Sequence, residues 1–520
     1  MSLFRARFVA LLGATALVTA LALSAEAQQK TLTVGVGEVT KKKGNAHDGT
    51  GLPHIYIWSA IYNSLTEVDH TGAPQPALAA RWQNVDPNTW RVTLRPNVTF
   101  HNGRPFDQRA IVDMFAYLAT DDGKKFVRGQ AAQTATIESV KAIDPMTVEI
   151  RTTRPQAILP TLLSNFDIPE PQHFADGGIN AMTNQPIGTG AFAVENWAPQ
   201  TVTFRKFDRH YAGNPKADRL VVVELPESAA RVSALLSGQI DIDIAVSPDD
   251  FGRIRAAGHQ VDAAPGRGLR GITFVSAGQV DGKGTTTPWA DQRVRRAAAI
   301  AVDRKAMLKD ILGGEGAEGH QAATRGSFGY NPAVPLYPYD PEGAKKLLAE
   351  AGHPNGFNFK VLALVFDPIS RLLYEKALQD LGKVGLRGEL QGFQIGDFLK
   401  HFGGGTWLNE GVNAFGNGHQ VSPEMDASAS LGKWTSCRKQ PAVSVFYCNR
   451  EEADLLDAAD REFDPEKRKA ILHRLMLLNH NNVSTLLFVE PPELTGLSKR
   501  VRNFKNYYLR YNYHEIDVAG

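Results

Sequence analysis

Gly314, Gly316 and Gly319 stand in G-x-G-x-x-G spacing. That pattern lets backbone amides at a helix N-terminus cradle a pyrophosphate, provided a strand leads into it. A helical pattern precedes it in this chain, so the segment is predicted to be a turn-rich loop. Gly278 to Thr285 (GQVDGKGT) sets Lys283 among glycines as a phosphate-cradling loop would, yet three residues separate Gly278 from Gly282 where four are needed, and Gly284 follows the lysine. It too reads as a loop. Neither G-x-S-x-G nor H-E-x-x-H occurs, and the carboxylates and 14 histidines are too scattered to nominate a dyad or triad. No catalytic residue is expected, and the chain does not read as an enzyme. His47 and His54 come closest to a metal pair but read as solvated loop residues, so no metal or other cofactor is expected. Lys41, Lys42 and Lys43 could contact an anion and read first as a solvated turn. Tyr56, Trp58, Trp407 and Phe415, near expected strand ends, could line a ligand cleft or plug a core.

The elements that position these residues belong to an ordinary globular chain of 520 residues, 43% hydrophobic and 22% charged. At about 150 residues per domain, two to four structural units are expected. With 57 Lys+Arg against 55 Asp+Glu the net charge is +2, which gives no electrostatic reason to bind nucleic acid. Residues 1–27 carry Arg5 and Arg7, an apolar run from Phe8 to Leu23 and small residues at Ala25 and Ala27, the make-up of a cleaved secretory signal peptide. The mature chain would begin at Gln28 and reside outside the cytoplasm. Export favours a disulfide between Cys437 and Cys448, whose short loop is worth about 2 to 3 kcal/mol in the chain-entropy model.

Thr31 to Val39 alternates apolar and small or polar residues and is predicted to be a strand with one buried face. Trp90 to Leu94 and Val98 to His101 read as a hairpin across Arg95-Pro96-Asn97, followed by a helix that Asp107 caps and that packs Ile111, Met114, Phe115 and Leu118 on one face. Ser228 to Ser237 reads as a helix stopped by Gly238, and Ile240 to Val246 (IDIDIAV) as an alternating strand. A strand is expected over Leu269 to Ser276, a helix from Gln292 to Leu312 capped by Asp291, and another opened by Asp340 and ended at Gly352. Strands and helices alternate throughout, so the class is α/β or α+β, with tightly joined domains and no long linker.

Several stretches, in order, resemble the family 5 bacterial extracellular solute-binding proteins, the receptors of peptide and nickel ABC importers. They are Gln75 to Trp82 (QPALAARW) with Leu94 to Gly103 (LRPNVTFHNG), Pro186 to Phe192 (PIGTGAF), Leu235 to Asp241 (LLSGQID), Pro288 to Arg304 (PWADQRVRRAAAIAVDR) and Tyr339 to Gly352 (YDPEGAKKLLAEAG). The resemblance covers essentially the whole mature chain. It implies an α/β, two-lobed, type II periplasmic binding protein fold with an extra subdomain on the first lobe. It also implies a ligand cleft between the lobes and docking of the closed form to a membrane permease. On that pattern residues 28–58, 190–270 and 491–520 form lobe I, 59–189 its subdomain and 271–490 lobe II, with Leu269 to Ser276 a crossing strand. The implied receptor is periplasmic, monomeric and delivers a small-molecule solute to an ABC importer.

In peptide-binding relatives an Asp before a D-P step pairs with the ligand's ammonium group. The matching stretch, Phe415 to Pro423 (FGNGHQVSP), puts His419 there, and no acidic residue lies between Gly411 and Ser422. Leu364 falls where dipeptide binders carry a carboxylate-binding Arg. Both ends of the peptide scheme look altered, so the expected ligand is not a standard zwitterionic peptide. A peptide held by a displaced anchor remains the alternative, and an exported adaptor, chaperone-like protein or enzyme with an unrecognised site the rival of another class. Tyr56, Arg267, Arg270, Arg325, Trp407, Phe415, Asn417 and His419 are the candidate ligand contacts.

Overall fold

The computed structural model describes residues 29–41, 43–47, 55–121, 123, 136–266, 268–275, 287–365, 368–393, 412–416, 425–434, 447–507 and 510–519. From its start the chain lays down β1 (Thr31–Val36), a helix (Ile55–Ile61) and a ribbon of β2 (Thr66–Val68) with β3 (Pro74–Pro76). Four antiparallel strands follow, β4 (Ala79–Asp86), β5 (Thr89–Leu94), β6 (Ile137–Asp144) and β7 (Thr147–Thr152), in the spatial order β4-β5-β7-β6. The chain returns beside β1 through β8 (Phe192–Ala198), β9 (Thr201–Lys206), β10 (Arg219–Glu224), β11 (Ile242–Ile244) and β12 (Gln260–Ala264). A second large sheet takes β13 (Arg270–Phe274), β14 (Ala317–Glu318), β15 (Phe357–Leu364), β16 (Leu386–Phe393), β17 (Val412–Gly416) and β18 (Thr485–Glu490). Finally β19 (Glu493–Leu497) rejoins the first. The two large sheets order as β12-β19-β11-β1-β10-β9-β8 and β14-β18-β13-β17-β15-β16.

Each sheet has its own core. Leu32, Val34 and Val36 of β1 pack with the helix Ile55–Ile61 and with Tyr511, Tyr513 and Ile516 near the C-terminus. In the second sheet Trp289 stacks on Phe274 at 4.1 Å between ring centroids, with Phe357 and Phe359 edge-on to it. The four-stranded sheet buries Val92, Leu94, Val148 and Ile150 against the helix Arg109–Leu118. A further cluster joins helices Ala427–Trp434, Arg450–Arg461 and Pro465–Asn482.

Local signals placed several elements well. Ser228–Ser237 is a helix, ended by Gly238 at φ +78°, a left-handed position glycine takes without a Cβ penalty. Asp291 and Asp340 accept the Arg293 and Gly343 amides at the starts of their helices. Gly314 and Gly316, at φ +86° and +92°, make the G-x-G-x-x-G segment a turn after a helix, as expected. Other readings need correction. Val98 to His101 does not pair with β5, because β4 and β7 occupy both edges of that strand; it folds on itself through the Thr99 and Pro105 bridge. The helix predicted from Gln292 to Leu312 is two, Gln292–Ala301 and Arg304–Ile311, and Asp303 caps the second by accepting the Ala306 amide. His47 is buried rather than solvated.

The IDIDIAV stretch departs most. Its alternation predicts one polar face, but β11 lies between β1 and β19, and Asp241 and Asp243 are both buried. Arg231, from the helix Ser228–Ser237, covers Asp243 with an ion pair of 2.9 Å, and Arg500 approaches Asp241 at 3.3 Å.

A candidate ligand cleft at the seam of two sheets

Strand register alone locates the cleft. β1, β10 and β11 run parallel, and the pairs Val36 with Glu224 and Gly35 with Asp243 set their carboxyl ends level. β19 runs against β11 and β12, pairing Thr495 with Ile244 and Glu493 with Ala264, so its start lies on that same edge. In the second sheet β15 is parallel to β16 and β17, with Leu364 opposite Phe393 and Ala363 opposite Gly416. β13 is antiparallel to β17 and β18, pairing Ile272 with Gly416 and Arg270 with Val489. The chain leaves β12 for β13 and leaves β18 for β19 between these two edges. The carboxyl ends of the parallel strands in both sheets therefore meet at one seam, where open α/β sheets bind ligands.

The two crossings touch. A Cβ on Gly266 would overlap the Pro491 carbonyl oxygen, so only glycine lets them lie this close. Gly266→Ala is expected to cost about 1 to 3 kcal/mol through this overlap, read as a lower melting temperature; an unchanged melt would mean the crossings separate freely. Beside them Glu490 ends β18 and is 2% exposed. Burial raises its carboxyl pKa, while the Arg325 amide, donating at 3.1 Å, and the Arg325 guanidinium at 3.8 Å work against that rise.

On the other rim, Glu38 follows β1 and Glu224 ends β10, its Oε2 accepting the Val39 amide at 2.8 Å. Behind them Arg231 donates to the carbonyls of Leu225 and Pro226, at 2.8 and 2.9 Å, and to Asp243. Burial raises the Asp243 carboxyl to about 6 against the pull of Arg231. The rim is thus a backbone turn fixed by a buried ion pair, with Glu38 and Glu224 at the carboxyl ends of β1 and β10.

Of the residues nominated from the sequence, Arg270 and Arg325 both lie at the seam. Arg270 starts β13 half-buried and donates through Nε to Ser370 at 3.3 Å, and the Arg325 side chain is exposed. Tyr56 is 2% exposed and donates its hydroxyl to the Glu38 carbonyl at 2.7 Å, so it braces the rim. Trp58 likewise is core and donates to the Lys43 carbonyl. Phe415 is buried in β17, which lies between β13 and β15, one residue before the Gly416 end of that strand. Arg267, Trp407, Asn417, His419 and Cys437 lie outside the described residues. Sequence reading missed Glu38, Glu224, Arg231, Asp243 and Glu490; their shared signal is a charged residue at or just beyond a strand's carboxyl end, or on the helix covering it.

Among the described residues no helix is long and apolar enough to cross a membrane. The family model described as "Bacterial extracellular solute-binding proteins, family 5 Middle" matches residues 73–437. The dipeptide-binding protein of Escherichia coli K12 is 24% identical, with 94% of each chain covered. Heme-binding protein A of Haemophilus influenzae is also 24% identical, over 88% of this chain and 87% of that one. The solved structure of HbpA2 from Haemophilus parasuis superposes with a TM-score of 0.81 at 22% identity, covering 94% of this chain and 100% of that one. The architecture is accordingly the two-lobed periplasmic binding protein fold that the motifs implied. With a matching model over most of its length, the chain belongs to the bacterial extracellular solute-binding proteins, family 5, and is a solute-binding receptor.

Proposed function

We propose that this receptor captures a small solute at the seam, closes on it and delivers it to the membrane permease of an ABC importer. The convergence of strand carboxyl ends from both sheets on two touching crossings carries this reading. The crossings near Gly266 and Pro491 act as the hinge, and ligand shifts the open and closed populations by binding the closed state better. Lobe I comprises residues 28–58, 190–270 and 491–520, its subdomain 59–189, and lobe II 271–490. The receptor works in the periplasm as a monomer after removal of residues 1–27, and as a binding protein rather than an enzyme. Arg270 and Arg325 are its described candidate contacts, with Arg267, Trp407, Asn417 and His419 completing the set.

Relatives of equal identity are named for a dipeptide and for heme, so overall likeness does not select the ligand. The local residues do. His419 stands where a peptide receptor needs a carboxylate, and Leu364, at the seam end of β15, where it needs an arginine. A thermal-shift screen of mature protein stripped of carried-over ligand tests this. At about 100 times its dissociation constant a true ligand adds ~2.7 kcal/mol of stability. Anionic or neutral solutes such as sugar acids and opines are expected to shift the melt and di- and tripeptides to leave it unchanged. A peptide-only response would show that the amine anchor is displaced rather than lost.

Cys437 and Cys448 form a disulfide in this reading, as export to an oxidising compartment favours. Denatured, unreduced mature protein is expected to yield no titratable thiol, and two after reduction; thiols before reduction would refute the pairing.

A further inference from the structure

A second cavity, of about 260 Å3, lies where the helix Ile55–Ile61, the ribbon of β2 and β3 and the C-terminal segment meet. Its C-terminal wall sits away from the seam: the His514 carbonyl accepts the Lys216 amide, just ahead of β10, at the amino ends of the parallel strands. Four charged side chains of opposite sign line it, Arg95 and Arg510 against Glu67 and Glu515. Two are committed elsewhere, Arg510 to Asp167 at 2.6 Å and Glu515 to Lys505 at 3.1 Å. Arg95 spends Nε on the Ala77 carbonyl and lies over the Tyr211 ring at 5.0 Å, which leaves its terminal N–H groups unspent among the described residues. Glu67, in β2, makes neither a hydrogen bond nor an ion pair among the described residues, and burial raises its carboxyl pKa.

Two further polar groups lack partners. His210 is 6% exposed and neither ring nitrogen makes a hydrogen bond, and Ser59 Oγ is buried without one. Such groups are rare in native proteins unless something else meets them. Burial and the adjacent His514 keep the His210 ring neutral, so it offers one donor and one acceptor and adds no third charge. The cavity therefore holds one unspent cation, one unspent anion and neutral hydrogen-bonding groups beside an aromatic ring. Its volume is below the roughly 300 to 1,000 Å3 of drug-sized sites.

We propose that this cavity is a second binding site, for a small zwitterionic α-amino acid, with the ligand carboxylate on Arg95, its ammonium on Glu67, and His210 and Ser59 completing the contacts. A lone anion would add a second negative charge beside Glu67, which Arg510 and Arg95 offset only in part against its burial, and a lone amine would face Arg95. Only a molecule carrying both charges satisfies the pair.

Calorimetric titration of the mature protein with glycine, L-alanine and L-serine, alongside acetate and methylamine, tests the proposal. The amino acids are expected to bind saturably and the two half-ligands not at the same concentrations. Glu67→Gln and Arg95→Gln are each expected to weaken binding about tenfold or more, since each removes a charge-assisted contact. Any solute found to bind at the seam should keep its affinity in both variants, which separates this site from that one. Absence of amino-acid binding to the wild type, or equal binding in both variants, would overturn the proposal. Should these variants fail to fold, Ser59→Ala keeps every charge and is expected to weaken binding about threefold or more; unchanged affinity there overturns it equally.

Discussion

Between about pH 7 and about pH 4 the wild-type protein is expected to lose more melting temperature than a His210→Gln, His480→Gln double variant. Burial holds both histidines neutral, with pKa values pushed down to about 3 and about 4. His101, at about 4, shares the cause. Their surroundings offer no carboxylate contact: His210 packs on Tyr211 and His514, and His480 stacks on Tyr337 with Arg296 and Arg304 nearby. An unfolded chain takes up these protons near pH 6.5, the folded chain only near pH 3 to 4. Across that window the unfolded state binds more protons, so stability falls as the pH falls. At 6% and 2% exposed, His210 and His480 each stand to remove roughly 3 kcal/mol by about pH 4. Raised carboxylates at Asp243, Glu452 and Glu490 pull the other way, because the folded state takes up their protons first. The difference between wild type and variant removes that common background. Equal falls in melting temperature for the two proteins would mean the histidines are hydrated in the folded state.

Replacing Arg231 by methionine is expected to cost about 3 to 5 kcal/mol, because it strands the Asp243 carboxylate inside the first sheet. Arg231 and Asp243 are 6% and 0% exposed, and the arginine also supplies the donors for the Leu225 and Pro226 carbonyls. Denaturant unfolding of Arg231→Met should show the loss, and a double variant with Asp243→Leu should recover much of it, since an apolar pair needs no partner. With its cation gone, Asp243 should titrate above its present value of about 6, so the single variant should regain stability as the pH drops below neutral. Affinity at the seam should fall too, since the rim turn at Leu225 and Pro226 loses its anchor. A single variant within about 0.5 kcal/mol of wild type would show that water already reaches the pair.

Much of this was legible in order along the chain. The helix Ser228–Ser237 with its Gly238 stop, the Asp291 and Asp340 helix starts and the turn at Gly314 to Gly319 each follow from rules acting over a few residues: a side chain reaching a nearby amide, or a backbone angle only glycine takes freely. Ordered motifs from Gln75 to Gly352 carried the family, and hence the two-lobed fold and the receptor role. Of the nominated contacts, Arg270 and Arg325 lie at the seam and Tyr56 and Phe415 are buried, a placement that no spacing along the chain announces.

Residue order thus discloses the local grammar, the family and the class of function. Tertiary structure alone decided which faces are covered and which charges meet. Asp243 is buried because strands from opposite ends of the chain, β1 and β19, flank β11, a fact its alternating pattern contradicts. Val98 to His101 fails to form a hairpin because β4 and β7 already hold both edges of β5. Arg510 reaches Asp167 across 343 positions, which is what leaves Arg95 and Glu67 as the unspent pair in the second cavity. Backbone pairing and ion pairing of this kind depend on distance in space, and no spacing along the chain encodes them.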